Sequence, residues 1–228
     1  MIVYTKPGSL IEITSRKFTG AATKHTDATS VVENKTGADG IVAMQYVAST
    51  AADGYTIMAV TKSNVAKVIS TETDVDLAGF NWLAMLMADL ECIITNDQLP
   101  VYTWEQIVAD AKSGNQIWVG PVLGGPDHVT AMKVWKKAGM KAKWVPFASG
   151  GKAIAALLGE QGVAYVGNPR DIVGKAENFK IAAVSSKKRL DEFPDGPTFA
   201  ELGIKGLDSE IMWRGFAVKK GTPANVVK

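Results

Sequence analysis

Short β-rich runs and segments with helical spacing replace one another along the whole of this sequence, and that alternation constrains the fold more than any single motif. Ile2-Val3-Tyr4 reads as a strand, followed by a helix over residues 10–24 with Leu10, Thr14, Phe18, Ala21 and Ala22 on one face. Residues 30–33 predict the next strand, residues 41–51 a helix, and residues 55–60 a strand after the Asp53-Gly54 turn. Further strands are predicted over 82–87, 91–95, 116–120, 143–147, 163–166, 180–185 and 211–218. Thr103 with Gln106, and Thr198 with Glu201, have the spacing of capping boxes that open helices. Pro126 suits the first position of a helix running to about Ala138, with Lys133, Lys136 and Lys137 on its wet face.

Strand–helix alternation implies an α/β fold of mostly parallel sheet covered on both faces. The strands outnumber those of one small sheet, and 228 residues accommodate two small domains. The expectation is therefore two lobes, one formed by residues 1–98 plus 212–228 and the other by 99–211. At the far end, Thr222 reads as an N-cap and Pro223 as the first helical residue, yet only five residues follow. That is too few for a stable helix, so a chain truncated at its C-terminus is expected.

Composition removes several classes of function. Hydrophobic residues at 46% and charged residues at 21% exclude a disordered or collagen-like chain. Twenty-five basic against 23 acidic side chains leave +2, which supplies no field for nucleic acid or an anionic membrane. The densest basic run, Lys187-Lys188-Arg189, is followed by Asp191 and Glu192 and reads as a solvated turn. The single cysteine, Cys92, excludes an internal disulfide and any zinc site of several cysteines. Opening the apolar run Cys92-Ile93-Ile94, it reads as a buried strand thiol, with a reactive thiol the alternative. No run of ~18 apolar residues is present to span a bilayer, and the residues after Met1 are not expected to act as a signal peptide, since Lys6 and Pro7 interrupt the apolar ones.

In open α/β sheets ligands bind beyond the carboxyl ends of the strands, against helix N-termini. The turns at those places are small and polar: Pro7-Gly8-Ser9, Thr61-Lys62-Ser63-Asn64, Gly124-Gly125-Pro126, Ser149-Gly150-Gly151 and Gly167-Asn168-Pro169. Such turns let a ligand approach free N–H groups, and the helix dipole favours an anion. The alternative is that each glycine merely serves a tight turn. Catalytic motifs are missing: no Gly-x-Ser-x-Gly elbow, no His-Glu-x-x-His helix, no Gly-x-Gly-x-x-Gly fingerprint. Gly151-Lys152 lacks the rest of a P-loop, since Ala153 follows. His25 reads as a surface cap near a helix end. His128 reads as packing or capping, with a ligand-facing role as the alternative. Lys152 is read as either a solvated residue or a carboxylate-attracting one. Trp135, Trp144 and Trp213 read as core residues rather than a base-stacking platform.

The order of motifs resembles the substrate-binding proteins of tripartite tricarboxylate transporters, the Bug family. The resemblance is carried by Pro7-Gly8-Ser9, by Val32-Glu33-Asn34-Lys35-Thr36-Gly37-Ala38-Asp39-Gly40 and by Ala52-Asp53-Gly54-Tyr55-Thr56. It continues through Val145-Pro146-Phe147-Ala148-Ser149-Gly150-Gly151, Ala183-Val184-Ser185-Ser186, Pro197-Thr198-Phe199-Ala200-Glu201 and Gly221-Thr222-Pro223-Ala224. The resemblance implies a periplasmic, two-lobed Venus-flytrap protein of type II. Such a protein delivers a small organic carboxylate, whether di-, tri- or aromatic, to membrane permease subunits and catalyses nothing.

By position, the resemblance maps ligand binding to Pro7, Gly8, Ser9, Ser63, Asn64, Gly124, Gly125, Asp127, His128, Ser149, Gly150 and Gly151, with Asn168 and Arg170 at the following turn. Arg170 is the candidate for a direct charge-assisted contact. The chain departs from the family pattern at Ser9, where a second Gly is usual, and at Glu12, where Asp is usual. Asp39 replaces a Gly, and Gly125 stands where Ser is common. A monomer is expected, with no catalytic residue, metal or cofactor and no nucleic-acid partner, and with the lobes closing so that backbone N–H groups of both meet the ligand. The rival readings are a ligand-sensing α/β domain and an open α/β enzyme using His128 or Lys152 as base.

Overall fold

A computed structural model describes residues 1–174 and 177–227. Its elements, in chain order, are β1 (Ile2–Val3), α1 (Leu10–Ala22), β2 (Glu33–Asn34), α2 (Ile41–Ser49), β3 (Ile57–Thr61), α3 (Lys62–Ser70) and β4 (Phe80–Leu90). There follow β5 (Cys92–Asn96), α4 (Trp104–Ala111), β6 (Gln116–Pro121), α5 (Pro126–Ala138), β7 (Ala142–Phe147), α6 (Gly150–Leu158), β8 (Ala164–Gly167) and β9 (Phe179–Val184). β10 (Ile211–Lys219) and α7 (Ala224–Val227) complete the chain. It divides into two compact units, Met1–Ala88 with Trp213–Lys228, and Asp89–Met212.

The first unit is built on a five-stranded sheet of order β2-β1-β3-β10-β4. β1 pairs in parallel with β2 and β3, whereas β10 runs antiparallel to β3. Period-2 alternation sends Ile2, Met58, Val60 and Ala217 to one face, with α2 residues Met44 and Val47. Val3, Ala59 and Phe216 go to the other face, against Ile11 of α1. The Phe18 ring packs on Phe216 with centroids 4.5 Å apart.

The second unit has a sheet of order β7-β6-β8-β5-β9. β6 is parallel to β7 and β8, and β5 is antiparallel to β8 and β9. Here Ile93, Trp118 and Val166 face a core with Trp104, Ile107 and Phe199, while Cys92, Ile94, Val119 and Tyr165 face a core with Ile154, Leu157 and Phe179. Both sheets are mixed, not mostly parallel: a strand arriving directly from the other unit can lie antiparallel without a crossover helix.

Three expectations need correction. The strand expected over 30–33 is confined to Glu33–Asn34, because its partner β1 is two residues long, and Val31 is exposed. The Thr198–Glu201 box forms, with Glu201 N–H donating to Thr198 Oγ1 at 3.1 Å and Thr198 N–H to Glu201 Oε2 at 2.7 Å. It closes only a turn, since Gly203 enters the left-handed region at φ 78°. The first boundary falls at Ala88/Asp89 rather than after residue 98, because Cys92–Asn96 pairs with β8 and β9 and so belongs to the second unit.

Candidate functional site

In the first unit, the carboxyl ends of β1, β2 and β3 lead into three polar turns. The Ser9 side chain caps α1, accepting from Glu12 N–H at 3.3 Å, and contacts the Thr5 hydroxyl. Glu12 returns the bond by accepting from Gly8 N–H at 3.2 Å and pairs with Arg16. These contacts hold its carboxyl below the ordinary range, the Arg16 hydrogen bond being the largest cause. Asn34 Nδ2 donates to Thr5 O at 2.8 Å and fixes the loop from the side of β2.

The turn after β3 is tied to the same loop by a 2.8 Å hydrogen bond between the Tyr4 and Thr61 hydroxyls. Asn64 is buried. Its Oδ1 accepts from Thr61 N–H at 2.8 Å and its Nδ2 donates to Asp39 O at 3.4 Å, so both ends of its amide serve the fold. Ser63 is half-buried, and its backbone N–H donates to Thr61 Oγ1 at 3.2 Å. Pro7 and Gly8 are exposed. Gly8 sits at φ 86° with open space where a Cβ would stand, so the turn itself requires glycine there.

In the second unit, β6, β7 and β8 all end on one edge of the sheet and lead to α5, α6 and the turn Pro169–Ile172 respectively. At α5, Pro126 takes the first position as expected, and Gly125 is an N-cap without a side-chain bond. Asp127 in its first turn is buried, so an acidic side chain of the helix's own already occupies its positive end. His128 Nδ1 accepts from Gly124 N–H at 3.0 Å, and its ring lies 4.9 Å from that of Trp144. Burial holds the imidazole below its usual value. His128 thus packs and caps the 122–125 loop.

α6 starts differently. Ser149 caps it through a 3.3 Å bond from Lys152 N–H, and there is no acid in its first turn. Gly150 approaches Tyr165: a Cβ there would stand 2.9 Å from the phenol oxygen. Gly151 has neither a positive φ nor any atom within 4 Å of an added Cβ, so the fold makes no demand for glycine at that position. Lys152 beside it is exposed.

At the end of β8, Asn168 is buried and tied twice: its N–H donates to Asp171 Oδ2 at 3.0 Å and its Nδ2 to Leu90 O at 3.0 Å. Tyr165 donates to the same Asp171 oxygen at 2.7 Å. Arg170 Nε donates to Asp89 Oδ1 at 2.9 Å, with the arginine side chain 60% exposed and the aspartate 8%. Tyr165, Asp89 and Asp171 go unread in the sequence, while Tyr4 reads only as part of a strand and Thr61 only as part of a polar turn. Each lies in or beside an apolar run, and Asp89 meets Arg170 across 81 positions.

A cavity of about 460 Å³ also opens on the second unit, but at the amino end of β9, where Tyr102, Trp104, Phe179 and Phe193 line it. It contains none of the candidate site residues. Among the described residues no helix is long and apolar enough to cross a membrane, and no group of three His, Cys, Asp or Glu side chains could hold a metal ion.

Residues 14–228 match the family model described as the tripartite tricarboxylate transporter family receptor, TctC. The chain belongs to the TctC family. Among curated relatives, the "UPF0065 protein in gbd 5′ region" of Cupriavidus necator is 28% identical over 242 residues, covering all of this chain and 70% of the relative. A TctC solute-binding protein from Polaromonas, solved without ligand, is 28% identical with a TM-score of 0.79 over 99% of this chain and 78% of that one. A Rhodopseudomonas palustris protein solved with adipate shares the fold at 22% identity and a TM-score of 0.86, again over 99% and 78%. Members of the TctC family are periplasmic solute-binding proteins, and the two α/β units agree with that architecture.

Proposed function

We propose that this TctC-family chain is an extracytoplasmic receptor that captures a small organic carboxylate and hands it to membrane permease subunits without altering it. The observation that carries the reading is on the second unit's sheet edge. There the N-terminus of α6 offers backbone N–H groups with no acid in its first turn, and Arg170 stands at the end of β8 on the same edge. Together they provide hydrogen-bond donors and positive potential for a carboxylate. In the first unit the Thr5–Ser9 loop is the corresponding candidate surface. Asn64 and Asn168 act as braces of these turns rather than as ligand contacts, because their amides are engaged in the fold.

The adipate complex of a protein of the same fold supports dicarboxylates as the first acids to try. The test is a thermal melt against succinate, adipate, citrate and benzoate, each paired with its neutral amide. A ligand at about 100 times its Kd stabilises by about 2.7 kcal/mol, which for a chain of this size is a shift of roughly 5–10 °C. A shift with an acid and not with its amide supports the reading. A sharp melt that none of the acids moves contradicts it. Chromatography of the released acid checks that it is returned unchanged, and light scattering checks that the receptor is a monomer.

A further inference from the structure

The anchoring of Arg170 has a directional feature that a surface ion pair does not require. Its contact with Asp89 is made through Nε, while Nη1 and Nη2 make no hydrogen bond among the described residues. The anchor is the buried partner and the guanidinium the exposed one. The backbone beneath is braced as well, since Asn168 is tied to Leu90, the residue next to Asp89, and Asp171 closes the turn on the Asn168 N–H. Arginine thus leaves a fixed point on the segment 89–90 with one plane and one free edge.

We propose that Asp89 is a positioning residue for carboxylate capture: by holding Nε it orients the guanidinium so that the Nη1/Nη2 edge receives the carboxylate in two parallel hydrogen bonds. The inference rests on the proposed reading of this chain as a carboxylate receptor. A guanidinium presents its donors as a rigid fork, so one edge can be anchored while another binds. Lysine, a single point charge, cannot divide itself that way. Asp89 also repels an anion, so positioning and repulsion predict opposite signs for its removal.

The experiment is a double-mutant cycle on the intact chain, with calorimetric Kd values for succinate, adipate, citrate and benzoate. Asp89→Ala is expected to weaken the best-bound acid roughly tenfold, on the scale of one charge-assisted hydrogen bond. In an Arg170→Ala background the same change is expected to alter Kd less than twofold. Asp89→Asn, which keeps an acceptor for Nε, should retain most of the affinity, and Arg170→Lys should behave like Arg170→Ala. Thermal melts without ligand separate unfolding from these effects, and Asp89→Asn remains informative if the alanine variant is unstable. The inference is overturned if Asp89→Ala tightens binding, leaves it unchanged, or weakens it equally without Arg170. If the wild type binds acids but Arg170→Ala does not weaken them, the inference fails alone. If the wild type binds none of the four, the receptor reading fails and this inference with it.

Discussion

α5 and α6 follow glycine-rich turns at the ends of neighbouring parallel strands, and in sequence the two look interchangeable. In the structure they are opposites. α5 carries the buried side chain of Asp127 in its first turn and seats His128 against Trp144. α6 carries no acid there and a glycine the fold does not need. A helix N-terminus is an anion site only while its own side chains leave the dipole uncompensated. Under the proposed receptor reading, the α6 start is therefore the one to test for ligand contact, and the α5 start, with Asp127 buried and His128 seated on Trp144, serves packing.

The largest blow falls on the α5 side. Gly120 lies against the Trp144 ring, and a Cβ there would overlap it. Gly120→Ala should cost about 1–3 kcal/mol through overpacking, read as a fall of several degrees in Tm. Next is Ser149→Ala, which removes the α6 cap and should cost about 1 kcal/mol, with weaker carboxylate binding in the same titration. Gly151→Ala sharpens the contrast most directly. With open space for the methyl group it should stabilise α6 by roughly 0.5–1 kcal/mol while weakening carboxylate affinity. A rise in Tm with unchanged affinity would sink the assignment of α6.

Smaller effects follow from titration. The folded state holds His128 below its unfolded value because burial penalises the imidazolium. The unfolded chain then binds more protons there, so His128 contributes stability above the unfolded pKa that is lost as pH falls through the folded one. His128→Gln should flatten Tm against pH on the acid side of about 6.5; an unaltered slope would place the pH dependence elsewhere. Least visible of all, Cys92 is buried with its thiol pushed well above the ordinary range, chiefly by desolvation. Alkylation at neutral pH should proceed only as fast as the chain opens.

Local chemistry made much of this legible. Thr103 and Pro126 start helices where capping-box and fixed-φ arguments place them, because those signals depend on residues at most three positions apart. Short continuous apolar runs located the strands that are buried on both faces. What escaped depends on distant partners. The length of β2 is set by β1, thirty residues away. The first unit boundary follows from which strands β5 joins, and the Thr198 box gives no hint that Gly203 ends its turn. At the site, the glycines and the two asparagines stood out while the Tyr165 and Asp89 braces did not. Tyr165 reads as one more apolar residue of a strand, and the pairing of Asp89 with Arg170 leaves no trace in spacing.

Tyr165 touches both halves of the proposed carboxylate surface. Its phenol lies under Gly150 at the mouth of α6, and its hydroxyl shares Asp171 with Asn168 at the turn that bears Arg170. A substitution there displaces two recognition elements at once. Divergence toward a new substrate is therefore expected to proceed through the exposed positions Gly151, Lys152 and Arg170, which can change one at a time, while the phenol beneath them stays fixed.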